Sequence, residues 1–106
     1  MIERMKNPPH PGGIIEEVLE DTGLSVRELA RRLEIAPSTL SRLSRCEIAV
    51  SSEMAVKLAA VLGIAAHVWL KMQADYALAQ AEKTVDISHL KPLVYPDAPE
   101  APAAHH

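Results

Sequence analysis

The chain has 106 residues, 48% hydrophobic and 24% charged, so one compact domain is predicted, and neither wholesale disorder nor a membrane protein is favoured. Aromatic residues make up only 3%, with no Phe, which leaves Leu, Ile, Val, Ala and Met to build the core and favours helix-on-helix packing over aromatic-rich strands. The net charge is −3, yet residues 25–45 hold five Arg against two Glu while the segments on either side are net acidic, so a local patch able to neutralise phosphates sits inside an acidic protein.

Residues 1–11 are expected to form an irregular arm, because Pro8, Pro9 and Pro11 oppose regular helix and favour extended backbone before each ring. Residues 12–83 are expected to form the folded domain. Past Gly12 and Gly13, Ile14, Ile15, Val18 and Leu19 fall on one side of a helix and Glu16, Glu17 and Glu20 on the other, with Gly23 as the stop. Ser25 with Glu28 three residues later forms a capping-box pattern ahead of a second helix, about 25–33. Its apolar repeat is Val26, Leu29, Ala30 and Leu33, with Arg27, Arg31 and Arg32 pointing elsewhere. Pro37 suits the first position of a third helix, about 37–45, where the missing N–H costs nothing.

In that third helix only Leu40 and Leu43 need face inward, which leaves Ser38, Thr39, Ser41 and Arg42 as a polar outer surface. Residues 46–51 connect to a fourth helix, with Ser52 as its predicted cap, Ala55, Leu58, Ala59 and Leu62 as its apolar stripe and Gly63 as its end. A fifth helix over roughly 66–82 carries Trp69, Met72, Gln73, Tyr76 and Ala79 along one stripe and Val68, Ala74, Leu78 and Ala81 on other faces. Apolar groups nearly all round imply a thick core or contacts beyond the monomer. Trp69, Met72 and Tyr76 are candidates for a dimer seam or for closing the core. Residues 84–106 form a Pro/Ala-rich tail with Pro92, Pro96, Pro99 and Pro102, expected to be extended or disordered; no chemistry is attached to His105 and His106. No apolar run is long enough to span a bilayer, no signal peptide opens the chain, and the lone Cys46 has no partner for a disulfide, so the expected setting is a reducing cytoplasm.

Two short helices joined by a tight turn, the second with small polar residues and Arg outside, form the helix-turn-helix arrangement. The second helix must be slim enough for the major groove, with its N-terminal residues at base edges, while the first crosses the phosphate backbone. Ser38, Thr39, Ser41 and Arg42 are the candidate base contacts. Arg27, at the positive end of the second helix, and Arg45 are the candidate phosphate contacts.

The stretch Leu24-Ser25-Val26-Arg27-Glu28-Leu29-Ala30-Arg31-Arg32-Leu33-Glu34-Ile35-Ala36-Pro37-Ser38-Thr39-Leu40-Ser41-Arg42-Leu43 resembles the helix-turn-helix of the phage-repressor (Xre) superfamily. The flanking His10-Pro11-Gly12, Ser52-Glu53-Met54-Ala55, Leu62-Gly63, Val68-Trp69-Leu70, Gln73-Ala74, Tyr76 and Leu78-Ala79 are similar to the HigA group of antitoxins, and the resemblance covers about residues 10–82. It implies an all-α, five-helix lambda-repressor-like fold and a homodimer that binds double-stranded operator DNA in its own promoter. It also implies neutralisation of a HigB-type toxin, a ribosome-dependent mRNA endonuclease. The family usually has Gly in the turn where this chain has Glu34, and cations in the loop where it has Glu47 and Ile48. Glu34 must then take a backbone conformation natural to Gly, and phosphate affinity should be reduced.

Enzymatic readings fare badly. His10, His67 and His89 lack paired metal-ligand spacing and suit surface or capping roles. Cys46 has no base beside it in any motif, and Glu16, Glu17, Glu20 and Asp21 suit a solvated helix face. No cofactor and no metal are expected. Besides the repressor and antitoxin, two alternatives stand: a regulator without a toxin, and a protein-interaction module with weakened DNA binding.

Overall fold

A computed structural model describes residues 7–94. The first six residues of the expected arm lie outside that range, as do Pro96, Pro99, Pro102, His105 and His106. The architecture is all-α, with five helices: α1 (Gly12–Thr22), α2 (Val26–Leu33), α3 (Pro37–Ser44), α4 (Ser52–Leu62) and α5 (Ala66–Thr84). Among the described residues there is no strand.

Local chemistry explains most of the boundaries. Gly23 and Gly63 close α1 and α4 in left-handed conformation, each donating its N–H to the carbonyl four residues back. The Ser25 hydroxyl accepts from the Glu28 N–H at 3.0 Å and starts α2. The cap of α4 is Ser51 and not Ser52. Ser51 has extended backbone and its hydroxyl accepts from the Met54 N–H at 3.1 Å, whereas Ser52 is already the first helical residue. The fifth helix also runs further than its apolar stripe suggests, to Thr84, whose hydroxyl donates back to the Gln80 carbonyl at 3.3 Å.

The core gathers Ile15 from α1, Leu29, Ala30 and Leu33 from α2, Leu40 and Leu43 from α3, Val50 from the following loop, Ala55 and Leu58 from α4 and Trp69 from α5. Helix α4 packs along α5, α1 against α3, and α2 against both α3 and α4. Trp69 is wholly buried, and its indole N–H donates to the Ile64 carbonyl at 3.1 Å, so it closes the monomer core. Met72 and Tyr76 on the same helix are half-buried.

Residues 8–11 are irregular but seated on the body, because Pro8, His10 and Pro11 are buried. His10 Nδ1 accepts the Gly12 N–H at 2.8 Å and so caps a helix whose own cap position, Pro11, offers no side-chain acceptor. The imidazole stands edge-on to Tyr76, with ring centroids 4.8 Å apart. Gly12 lies where α1 crosses α3: a Cβ there would sit 2.0 Å from the Leu43 carbonyl oxygen, so only glycine allows the approach.

Candidate nucleic-acid interface

The Pro37–Ser44 helix is held between two connections. Before it, Glu34 ends α2 in left-handed conformation at φ 58° and ψ 45°, and the Ile35 N–H returns to the Ala30 carbonyl at 3.0 Å. The Glu34 carbonyl in turn accepts Lys57 Nζ of α4 at 3.1 Å. After the helix, Cys46 is left-handed at φ 63°, and the Glu47 N–H reaches the Arg42 carbonyl at 2.9 Å. The loop then joins α5 through the Val50 N–H, which donates to Gln73 Oε1 at 2.8 Å.

With Leu40 and Leu43 buried, the helix leaves Ser38 and Arg42 exposed and Thr39 and Ser41 half-buried. These four candidate base contacts therefore share one short helix, opposite its core side. Arg27 is exposed in the first turn of α2. Trp69, Met72 and Tyr76 do not join this surface; they lie on α5, with Trp69 inside the core.

The five arginines of the basic segment divide into two groups. Arg31 and Arg32 both grip Glu28, with Nε–oxygen distances of 3.2 and 3.1 Å, and that hold keeps the Glu28 carboxyl below its ordinary range. Arg45 is bound to Glu47, Nε to Oε2 at 2.9 Å and Nη2 to Oε1 at 3.4 Å, while its Nη1 donates to Ser41 Oγ at 2.7 Å. Glu47 is likewise held below the ordinary carboxylate range, first by Arg45 and in smaller measure by the charge of Arg42. Among the described residues, the guanidinium groups of Arg27 and Arg42 enter no hydrogen bond or ion pair. The cationic groups left to offer a polyanion on this side are thus one at the start of α2 and one on the outer face of α3.

Three participants escape a reading for apolar periodicity. Glu28 stands three and four residues before Arg31 and Arg32, a spacing at which helical side chains meet, so it could have been found in the sequence. Lys57 and Glu34 are 23 positions apart, and no local signal links them. The hold of Glu47 on Arg45 depends on the turn that Cys46 makes. Among the described residues no group of three or more His, Cys, Asp or Glu side chains could hold a metal ion, and no helix is long and apolar enough to cross a membrane.

Comparison with known proteins points the same way as the geometry. Residues 15–69 match the helix-turn-helix family HTH_3. An HTH-type transcriptional regulator of Escherichia coli K12, YddM, is 50% identical over 91 residues, 86% of this chain and 97% of its own. Among solved structures, antitoxin GraA in complex with its operator superposes with a TM-score of 0.75 at 31% identity, covering 90% of this chain and 99% of GraA. The Pseudomonas aeruginosa antitoxin HigA with the higBA promoter gives a TM-score of 0.71 at 29% identity, covering 83% of this chain and all of that one.

Proposed function

The chain belongs to the helix-turn-helix family HTH_3, and on that premise we propose that it is a sequence-specific DNA-binding repressor of its own operon and the antitoxin of a HigB-type toxin. The observation that carries the DNA reading is the outer face of α3. Polar Ser38, Thr39, Ser41 and Arg42 stand over a buried Leu40 and Leu43, and Arg42 and Arg27 are free of the ion pairs that occupy Arg31, Arg32 and Arg45. Helix α3 enters the major groove, Arg42 reads a base edge, and Arg27 holds a phosphate at the start of α2. The antitoxin reading is supported by the likeness to GraA and HigA. A regulator without a toxin is the second reading, favoured by the likeness to YddM, an HTH-type transcriptional regulator.

The proposed unit is a homodimer. Val68 and Leu78 on α5 and Val85 just beyond it are large apolar residues left exposed on the monomer, and a single helix-turn-helix grips DNA weakly. Two α3 helices about 34 Å apart would meet half-sites one turn of DNA apart.

Binding to the DNA upstream of the protein's own gene tests the reading. Arg42→Ala should flatten the preference among operator variants, a bidentate arginine–guanine contact being worth roughly 1–3 kcal/mol of discrimination. Arg27→Ala should weaken all sequences together and lower the salt slope by about one unit. An unchanged preference in Arg42→Ala would remove the base assignment, and light scattering that finds a monomer with and without operator would remove the dimer. Whether the neighbouring reading frame encodes a small basic protein whose toxicity this chain relieves separates the antitoxin from the stand-alone regulator.

A further inference from the structure

On α3 the residues that face away from the core recur at spacings of three and four, and Ser38, Ser41 and Arg45 fall on one such line. Arg45 is the C-cap of the helix, yet its side chain does not run on past the end. Nη1 lies 2.7 Å from Ser41 Oγ, so the charged group sits one turn back, beside a residue in the middle of the candidate reading surface.

Glu47 and Ser41 hold the guanidinium there. The left-handed Cys46 turns residue 47 back towards residue 45, and the Glu47 carboxylate accepts Nε at 2.9 Å and Nη2 at 3.4 Å while Ser41 accepts Nη1. Among the described residues Arg45 side-chain nitrogens donate to nothing else. A guanidinium carries five N–H groups and no acceptor, so these holds leave one N–H on each terminal nitrogen. The Arg45 and Glu47 side chains are 57% and 49% exposed, so that end of the fork is open to a ligand. Glu47 answers the charge, which makes the pair a poor phosphate contact. Hydrogen bonds to a base edge need the donors and no net charge.

We propose that Arg45 reads a guanine in the major groove and that Glu47 is its positioning residue. This rests on the DNA-binding reading above and deepens it. Guanine alone presents two acceptors side by side, N7 and O6; adenine pairs N7 with an amino donor, thymine pairs O4 with a methyl group, and cytosine offers an amino donor. Two N–H groups on neighbouring nitrogens match the guanine edge and meet a donor or a methyl group on each of the others. The hold of Glu47 restricts a long side chain before DNA arrives, so less ordering entropy is lost on binding. Arg45 then adds a second base contact to that of Arg42.

The test uses the full chain. Selection of bound sites from random DNA by the wild-type protein, followed by affinities for each single-base variant at several salt concentrations, gives both a base-preference profile and a salt slope. The decisive variant combines Arg45→Met with Glu47→Gln, because it removes one cation and one anion and leaves the local charge balance unaltered. It should reduce the preference for guanine at one position of each half-site by about 5-fold or more, the lower end for a bidentate arginine contact, and keep the wild-type slope. Glu47→Gln alone keeps the arginine and frees its charge, so the preference at that same position should weaken while affinity for every sequence rises. Arg42→Ala should relax a different position. A double variant that binds all sequences more weakly, with a slope lowered by about one and an unchanged profile, makes Arg45 a phosphate contact. One with unchanged profile and affinity makes Arg45 a bystander, and a loss confined to the position that Arg42→Ala relaxes makes it a support for Arg42. Each of these overturns the proposal, and a full guanine preference in Glu47→Gln overturns the part given to Glu47. A wild-type chain that selects no sequence overturns the DNA-binding reading first, and the inference with it. Thermal melts matching the wild type exclude misfolding as the source of any loss.

Discussion

Both ends of α3 turn through a left-handed residue that is not glycine, Glu34 at φ 58° before the helix and Cys46 at φ 63° after it, and each position costs on the order of 1 kcal/mol relative to glycine. The front connection is tied to another element, since Lys57 reaches across from α4 to hold the Glu34 carbonyl. The rear connection is tied first to itself, through Arg45 and Glu47 at the surface, and then to the rest of the domain at Ile48, which meets His10 and the core, and at Val50, which meets Gln73. The N-terminal half of the helix is therefore fixed by the body of the domain. The loop behind it is exposed from Arg45 to Glu47 and turns inward at Ile48, which packs against the core.

The largest effect should come from breaking the close backbone approach that, with the buried Leu43 side chain, anchors the rear of α3 itself, as distinct from its loop. At the α1–α3 crossing, a Cβ on residue 12 would lie 2.0 Å from the Leu43 carbonyl, and backbone cannot yield as a flexible side chain can. Gly12→Ala should destabilise the domain by roughly 3 kcal/mol or more, at the upper end of overpacking costs and a large part of a typical domain's total. Chemical denaturation measures it. A loss under about 1 kcal/mol would mean that the two helices can part without consequence and that α3 is not located by α1.

A pH titration probes the same corner with a smaller expected change. His10 caps α1, lies against Tyr76 and is bonded to the backbone of Ile48 in the rear loop. Burial holds its pKa below the ordinary value of 6.5, outweighing the Ile48 bond, which favours the charged form. The unfolded chain then binds a proton more readily than the folded one, so the contribution is complete above pH 6.5 and is lost as pH falls through the folded value. Glu28 and Glu47, both held below their ordinary 4.5, act only in more acid solution, so the decline between pH 6.5 and 4.5 belongs to His10. His10→Asn removes the titrating group and should flatten stability across that window. A wild-type protein equally stable at pH 6.5 and 4.5 would contradict the buried, neutral imidazole.

The sequence revealed what repeats and what is local. The apolar stripes of α2, α3 and α4 place the core side of each helix, and Ser25, Gly23, Gly63 and Pro37 mark ends because each acts on backbone within a turn of itself. The choice between Ser51 and Ser52 is a matter of one residue's backbone angle, which two adjacent serines leave open. His10 reads as part of an irregular arm and Gly12 as the release that follows it at the start of the folded domain, since the crossing of α1 over α3 that makes them structural is a tertiary fact. The arginine surplus was visible and its division was not. How many cations face outward depends on Glu28 and on the turn at Cys46, and charge counting treats all five alike.

The smallest effect sharpens the contrast between the two connections. Replacing Glu34 or Cys46 with glycine relieves the left-handed strain but frees the unfolded chain, so each should gain only about 0.5–1 kcal/mol, a few degrees in melting temperature for a domain of this size. Stability alone will hardly separate them; local hydrogen exchange will. In Glu34→Gly the backbone carbonyl is still there for Lys57, so the turn stays pinned and the Ile35 amide, bonded to Ala30, should keep its protection. In Cys46→Gly residue 46 keeps its N–H bond to the Leu43 carbonyl at 2.9 Å, which ties it to α3 itself and not to a second helix, and the added freedom should speed exchange at the Glu47 amide, which depends on the Arg42 carbonyl alone. Faster exchange at Ile35 with an unchanged Glu47 would reverse the assignment. The front of α3 would then be the adjustable end, and the Lys57 contact would carry little of the turn's rigidity.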